Sequence, residues 1–140
     1  MQNPQTGNLA ENMGKFLLRA TLAILILFHG VSKIVHGIDP IIGMIVKAGL
    51  PSAVAYLVYI GEVVAPTLVL FGVWTRLGGL AIAINMTVAV LLVHTSQFFT
   101  LAKTGGWTLE LQCMYFVGGL AVALLGAGRF SIGGAAGRWN

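Results

Sequence analysis

Seven side chains of this chain have the chemistry to move protons or hold charge away from bulk water: Arg19, His29, Lys33, His36, Glu62, His94 and Glu110. His29, Lys33 and His36 are spaced four and three apart, so a helix stacks them on one stripe within an arc of about 60°. Arg19 falls on the same helix about three turns away. Imidazole, ammonium and carboxylate groups in series can relay protons or present hydrogen bonds to a polar ligand. A buried Glu–Lys or Glu–His pair can equally do no more than lock helices together, and His36 and His94 can simply sit at headgroup level. Glu62 with Lys33 or His29 is the pair expected to meet. No HxxH or HExxH spacing is present, so no metal site is expected.

These groups matter because of what surrounds them. Of 140 residues, 57% are hydrophobic and 9% charged, whereas a soluble domain draws about a quarter of its residues from Asp, Glu, Lys and Arg. Lipid is the expected solvent, and at mid-bilayer each ionisable group costs roughly 2.5 kcal/mol or more. The apolar residues gather into four runs near the length of about 20 residues that a crossing helix needs: Phe16 to Val35, Ala53 to Trp74, Leu77 to His94 and Leu109 to Ala127. The runs are continuous rather than alternating, which selects helices over barrel strands. The expected fold is all-α, an integral membrane bundle of four transmembrane helices. Residues 1–15 form a polar N-terminal segment, 16–128 the single four-helix domain and 129–140 a short glycine-rich tail.

Asp39-Pro40, followed by an apolar stretch and Gly49-Leu50-Pro51, predicts a short helix between spans one and two, too short to cross. Its composition suits the membrane interface or a fold back over the bundle. The tight Val73-Trp74-Thr75-Arg76 link makes spans two and three an antiparallel hairpin. At about 1.5 Å per residue, His29 and Glu62 lie roughly 9 to 14 Å below the outer ends of their helices. Lys33 and His94 stand about a turn higher, and His36 and Glu110 are at the rim, so the polar groups form a ladder rising to one face.

Four crossings put both termini on one side. Lys15, Arg19, Arg76, Arg129 and Arg138 fall on that side and Lys33, Lys47 and Lys103 on the other, which predicts cytoplasmic termini in an inner membrane. The net charge of +4 is accounted for by this bias and anionic lipid, and nucleic acid is not an expected partner. The first fifteen residues lack a signal peptide's basic start and cleavage site. Neither terminal segment is long enough for a further folded domain, so soluble catalysis is expected from a partner polypeptide. Cys113, the single cysteine, excludes an internal disulfide and every CxxC motif, and reads as a packing residue. Gly79, Ala83, Gly119 and Ala123 have the small-xxx-small spacing of close helix contacts, and Trp74, Trp107 and Trp139 that of interfacial anchors. The ends of spans two and four share an apolar-Gly-basic cadence that hints at a duplicated hairpin.

Taken together these segments resemble the DoxX family. The first span is similar to its arginine followed by HGxxK, here Arg19 and then His29-Gly30-Val31-Ser32-Lys33. The second resembles its glutamate and apolar run closing in GxxTR, here Glu62 and then Gly72, Thr75 and Arg76. The fourth resembles GGWxL, a glutamate and a GPGxxSLD ending, here Gly105-Gly106-Trp107, Glu110 and Gly126 to Gly133. Ala127 stands in place of the proline and Gly133 in place of the aspartate.

The resemblance implies a four-span bundle in a family linked to redox complexes and quinone chemistry. With the polar ladder, it implies an accessory membrane subunit of an oxidoreductase, rather than an enzyme alone, expected to dock a redox or cofactor-handling partner and to use His29, Lys33 and Glu62 as quinone contacts. Two other readings stand beside it. One is a small transporter or metal-handling protein using His29, His36, His94 and Glu110, and the other a non-catalytic anchor or assembly factor.

Overall fold

A computed structural model describes residues 8–134 and 136–140. The first seven residues of the polar N-terminal segment, and with them most of the signal-peptide reading, lie outside the described residues. Helix α1 spans Leu9–His36. The Asn8 side chain, in extended backbone, accepts a hydrogen bond from the Glu11 amide at 2.7 Å and starts it. Gly37, at φ 81°, ends it. Its buried face runs through Arg19, Leu22, Ala23, Ile26 and Gly30, the three-to-four spacing of a helix packed on one side.

Helix α2, Asp39–Lys47, has Pro40 in its first turn and folds back against the 3₁₀ turn Ser52–Leu57. Ile38, Ile45 and Ala55 form a small apolar cluster there, with Leu92 from the opposite helix packed on it. The second span, Ser52–Phe71, is composite: the 3₁₀ turn leads into a π turn at Ile60–Val64 and then α3, Ala65–Phe71. Pro66 accounts for the widened turn. It has no N–H to offer the Glu62 carbonyl four residues back, and its ring crowds that carbonyl. The Ala65 amide bonds instead to Ile60, five residues back. Helices α4, Thr75–Val93, and α5, Glu110–Leu125, complete the bundle.

The described residues are thus helical where the sequence predicts spans. Three helical segments, Leu9–His36, Ser52–Phe71 and Thr75–Val93, are long and apolar enough to cross a membrane. The fourth, α5, has 16 residues, about 24 Å of helix, short of the roughly 30 Å hydrocarbon core. The core lies among Leu22, Ile26, Val69, Ile82, Met86, Tyr115 and Val122. Large apolar side chains such as Phe28, Leu91, Met114 and Leu124 point outward, as a lipid-facing surface requires.

Burying apolar side chains against one another gains little over leaving them in lipid, so close van der Waals approach must hold such helices together. The α4–α5 pair shows how. A Cβ placed on Gly79 would stand 2.6 Å from the Gly119 carbonyl oxygen, and one on Gly119 would stand 2.7 Å from that of Gly79. Both obstacles are backbone and cannot swing aside. Gly79→Val is therefore expected to destabilise the bundle by about 2 kcal/mol, read as a lower midpoint of denaturant unfolding in micelles. Leu80→Val, on the exposed face, serves as the near-neutral reference.

At the end of the bundle that carries the termini, two arginines close two helix C-termini. Arg19 Nη1 donates to Val69 O at 2.9 Å and Leu70 O at 2.6 Å, and its Nη2 donates to Phe130 O. Arg76 Nη1 donates to Ala123 O at 2.9 Å and Leu124 O at 2.6 Å. Each helix they serve ends on a glycine of positive φ, Gly72 and Gly126. The recurring Gly-basic cadence therefore has a structural counterpart: the first helix of each hairpin supplies an arginine to the unpaired carbonyls of the second. The C-terminal tail, short as it is, packs into this end. Ile132 and Gly133 amides donate to Phe71 and Gly72 carbonyls, each at 3.0 Å, and the buried Asn140 side chain accepts from the Thr75 hydroxyl at 3.0 Å. A side chain at Gly133 would collide with Asn140 Nδ2 and Gly72 O, so the amide of Asn140 fills the space an aspartate at 133 would need.

Candidate functional site

At the opposite end, near α2, the helices enclose a cavity of about 670 Å³, within the range of roughly 300 to 1,000 Å³ typical of small-molecule sites. Its wall is largely aliphatic, including Ile26, Ile41, Ile45, Val58, Ile84 and Leu92, and its polar members are His29, Lys33, Glu62, Asn85, His94, Gln112 and Tyr115. Four of the seven candidate residues converge here: His29, Lys33, Glu62 and His94. Arg19 does not reach it and is bonded into the other end. Glu110 is exposed and outside the lining, and so is His36, whose Nδ1 lies 2.9 Å from the Ser32 carbonyl of its own helix.

Lys33 Nζ donates to Glu62 Oε2 at 2.5 Å, with a quarter of the Lys33 side chain and 9% of the Glu62 side chain exposed. Two local features bring them together. Gly30 presses on the π turn so closely that a Cβ there would overlap the Glu62 carbonyl oxygen; only glycine lets α1 approach far enough for Lys33, one turn further on, to reach across. The π turn itself sets the direction in which the Glu62 carboxylate leaves its helix. Tyr59 adds a second tie, its hydroxyl donating to Lys33 O at 3.2 Å.

Around this pair the polar atoms do not saturate one another. His94 Nδ1 and Gln97 Oε1 lie 2.9 Å apart, and His94 Nε2 faces the Gln112 amide nitrogen at 3.4 Å. That arrangement suits a neutral imidazole protonated on Nδ1, with Gln112 donating to Nε2. It leaves Gln112 Oε1 without a partner, and Asn85 Nδ2 is also unpartnered; both atoms are buried. Buried donors and acceptors are ordinarily satisfied, so these two atoms leave hydrogen-bonding capacity unused in the cavity wall. Gly61 permits the approach of Asn85, whose side chain occupies the volume a Cβ would need. The His29 ring stands edge-on to Tyr115 at a centroid distance of 6.0 Å. Among the described residues, no group of three or more His, Cys, Asp or Glu side chains is placed to hold a metal.

Asn85, Gln112 and Tyr115 were not among the residues singled out by sequence. Uncharged polar side chains within apolar spans are the signal that could have found them, since each must find a partner in a medium that offers none. Cys113, beside Gln112, is exposed and unpaired.

Comparison with known proteins adds three findings. The DoxX family model matches residues 14–95, which takes in most of α1 and all of the chain through α4 and stops before the Gly105-Gly106-Trp107 segment. A protein of Bacillus subtilis (strain 168) named "Putative oxidoreductase CatD" is 34% identical over 92 residues, covering 66% of this chain and 68% of that one. No solved structure matched.

Proposed function

The chain belongs to the DoxX family, and on that premise we propose that it is a membrane subunit of an oxidoreductase system whose cavity takes the ring of a quinone. The observation that carries the reading is the incomplete bonding of the cavity: an apolar pocket in which Asn85 Nδ2 and Gln112 Oε1 are orphaned beside a Lys33–Glu62 pair. A flat ring with two opposed carbonyl oxygens needs donors on both sides and aliphatic walls between them. Asn85 Nδ2, the spare protons of Lys33, the Tyr115 hydroxyl and His29 supply donors, and Ile26, Ile84 and Val58 supply the walls. A quinone in this place would contribute two-electron, two-proton redox chemistry, with electrons coming from a docked partner enzyme. The chain's own residues orient the ring, exclude water and hold protons next to its oxygens, with Glu62 and His29 as the titratable neighbours and His94 continuing the series toward the α2 end.

The name of the Bacillus relative, which speaks of an oxidoreductase, agrees with this reading. The excess of Lys15, Arg19, Arg76, Arg129 and Arg138 at the end carrying the termini supports a cytoplasmic placement for that end, which turns the cavity toward the outer leaflet of the inner membrane.

Titrating a quinone analogue into the protein in lipid nanodiscs tests the reading. Glu62→Gln is expected to weaken binding roughly tenfold, because it releases the Lys33 ammonium that the Glu62 carboxylate holds as a charged donor beside the ring, and to slow quinone-dependent electron transfer by the native complex. Wild-type affinity and rate in Glu62→Gln, with the complex intact, would remove Glu62 from the site.

A further inference from the structure

The second span does not run alongside α4 for its full length. Through α3 and the π turn it packs on α4, with Gly61 against Asn85, but its Ser52–Leu57 turn leans away toward α2. The cavity lies in the resulting wedge. Leu57 and Ile60 on one side and Ile84 and Val88 on the other line both the cavity and the outside of the bundle. Their exposures are 57%, 51%, 55% and 45%. Spaced three and four apart, they form two facing apolar rails. Toward the α2 end, Ile41 and the buried Ile45 roof the space. Glu62 and Tyr115 are buried and Asn85 is half-buried, and the rails carry no polar group.

We infer that the cavity is loaded sideways from the bilayer through this wedge, and that its ligand carries a long apolar tail that stays between the rails. This deepens the ring-binding reading above and rests on it. A water-soluble ligand would have to pass an apolar gap that opens on lipid. An amphipathic molecule dissolved in the membrane arrives already oriented, with its polar ring drawn inward to Asn85, Glu62 and Lys33. The tail exchanges lipid contacts for rail contacts at little net free energy, so it contributes concentration and orientation rather than affinity.

The test compares association of a tail-less benzoquinone and a decyl-substituted one with the protein in nanodiscs, by stopped flow. Ile84→Trp and Val88→Trp each fill the wedge from an exposed position, and Leu91→Trp, also exposed on α4 but outside the cavity lining, controls for added bulk. We expect each wedge variant to slow association of the tailed quinone about tenfold, with Leu91→Trp unchanged. In wild type, occupancy should follow the mole fraction of tailed quinone in the lipid when the lipid-to-protein ratio is varied. Unchanged rates in both wedge variants, or occupancy that follows total concentration whatever the lipid content, would overturn the lateral route and leave ring binding standing. Failure of both quinones to bind wild type would overturn the ring-binding reading itself, and this inference with it.

Discussion

Lys33→Met should lower the stability of the bundle by about 3 kcal/mol, the cost of leaving a buried partner charge uncompensated. Glu62 is 7% exposed, and its carboxylate bonds to the Lys33 ammonium. Methionine keeps most of the lysine stem's volume, so the loss isolates the charge rather than the packing. Because Lys33 leaves a quarter of its side chain open, the effect belongs at the lower end of the range for buried pairs. The double variant Lys33→Met/Glu62→Gln removes both charges and should recover most of the loss, since swapping a buried ion pair for neutral groups is often close to neutral. Reversible unfolding in mixed micelles, run as a double-mutant cycle, reads the coupling directly. A coupling near zero would mean that the two charges are independently solvated and that the pair does not lock α1 to the second span.

Arg19→Met should cost as much or more, and it should do so without touching the cavity. Arg19 is 1% exposed, and its guanidinium serves three carbonyls from two segments: Val69 and Leu70 at the end of α3, and Phe130 in the tail. Removing it leaves those carbonyls without their donor, at about 1 to 3 kcal/mol for each group that finds no substitute. We expect a total of about 3 kcal/mol, with partial relief if a water reaches the Phe130 carbonyl. Lysine cannot rescue it fully, because one ammonium does not reproduce a planar fork aimed at separate acceptors. Micelle unfolding measures the loss, and quinone affinity per folded molecule in nanodiscs should stay at the wild-type value. A folded Arg19→Met protein that loses ligand binding would show that this arginine acts on the cavity from a distance.

Arg19 shows where sequence reasoning stops. Its type and depth flagged it correctly as an unusual residue, since a charge in a span demands a reason. The spacing on α1 could not say whether the guanidinium joins the His29–Lys33 stripe or turns to the carbonyls of another helix 50 residues away in sequence. The same applies to His36 and Glu110. Both lie at helix ends, both count as polar neighbours by depth, and both stay outside the cavity lining; His36 shares the stripe of His29 and Lys33, but its ring turns back to the Ser32 carbonyl of its own helix.

The sequence by itself determined the solvent, the spans, the hairpin made by the Trp74–Thr75 link and the presence of a Glu–Lys or Glu–His pair near one end. These follow from composition, from the length of apolar runs and from the cost of an unpaired charge in hydrocarbon, all of which are local or additive properties of the chain. Only the tertiary structure decided which partner Glu62 takes and where the cavity lies. It also decided that α2 folds back over the 3₁₀ turn and that Asn85 and Gln112 complete the polar lining. Those outcomes depend on how closely backbones approach at Gly30, Gly61, Gly79 and Gly119 and on the π turn that Pro66 imposes. Such approaches are relations between segments far apart in sequence, and no periodicity within one helix encodes them.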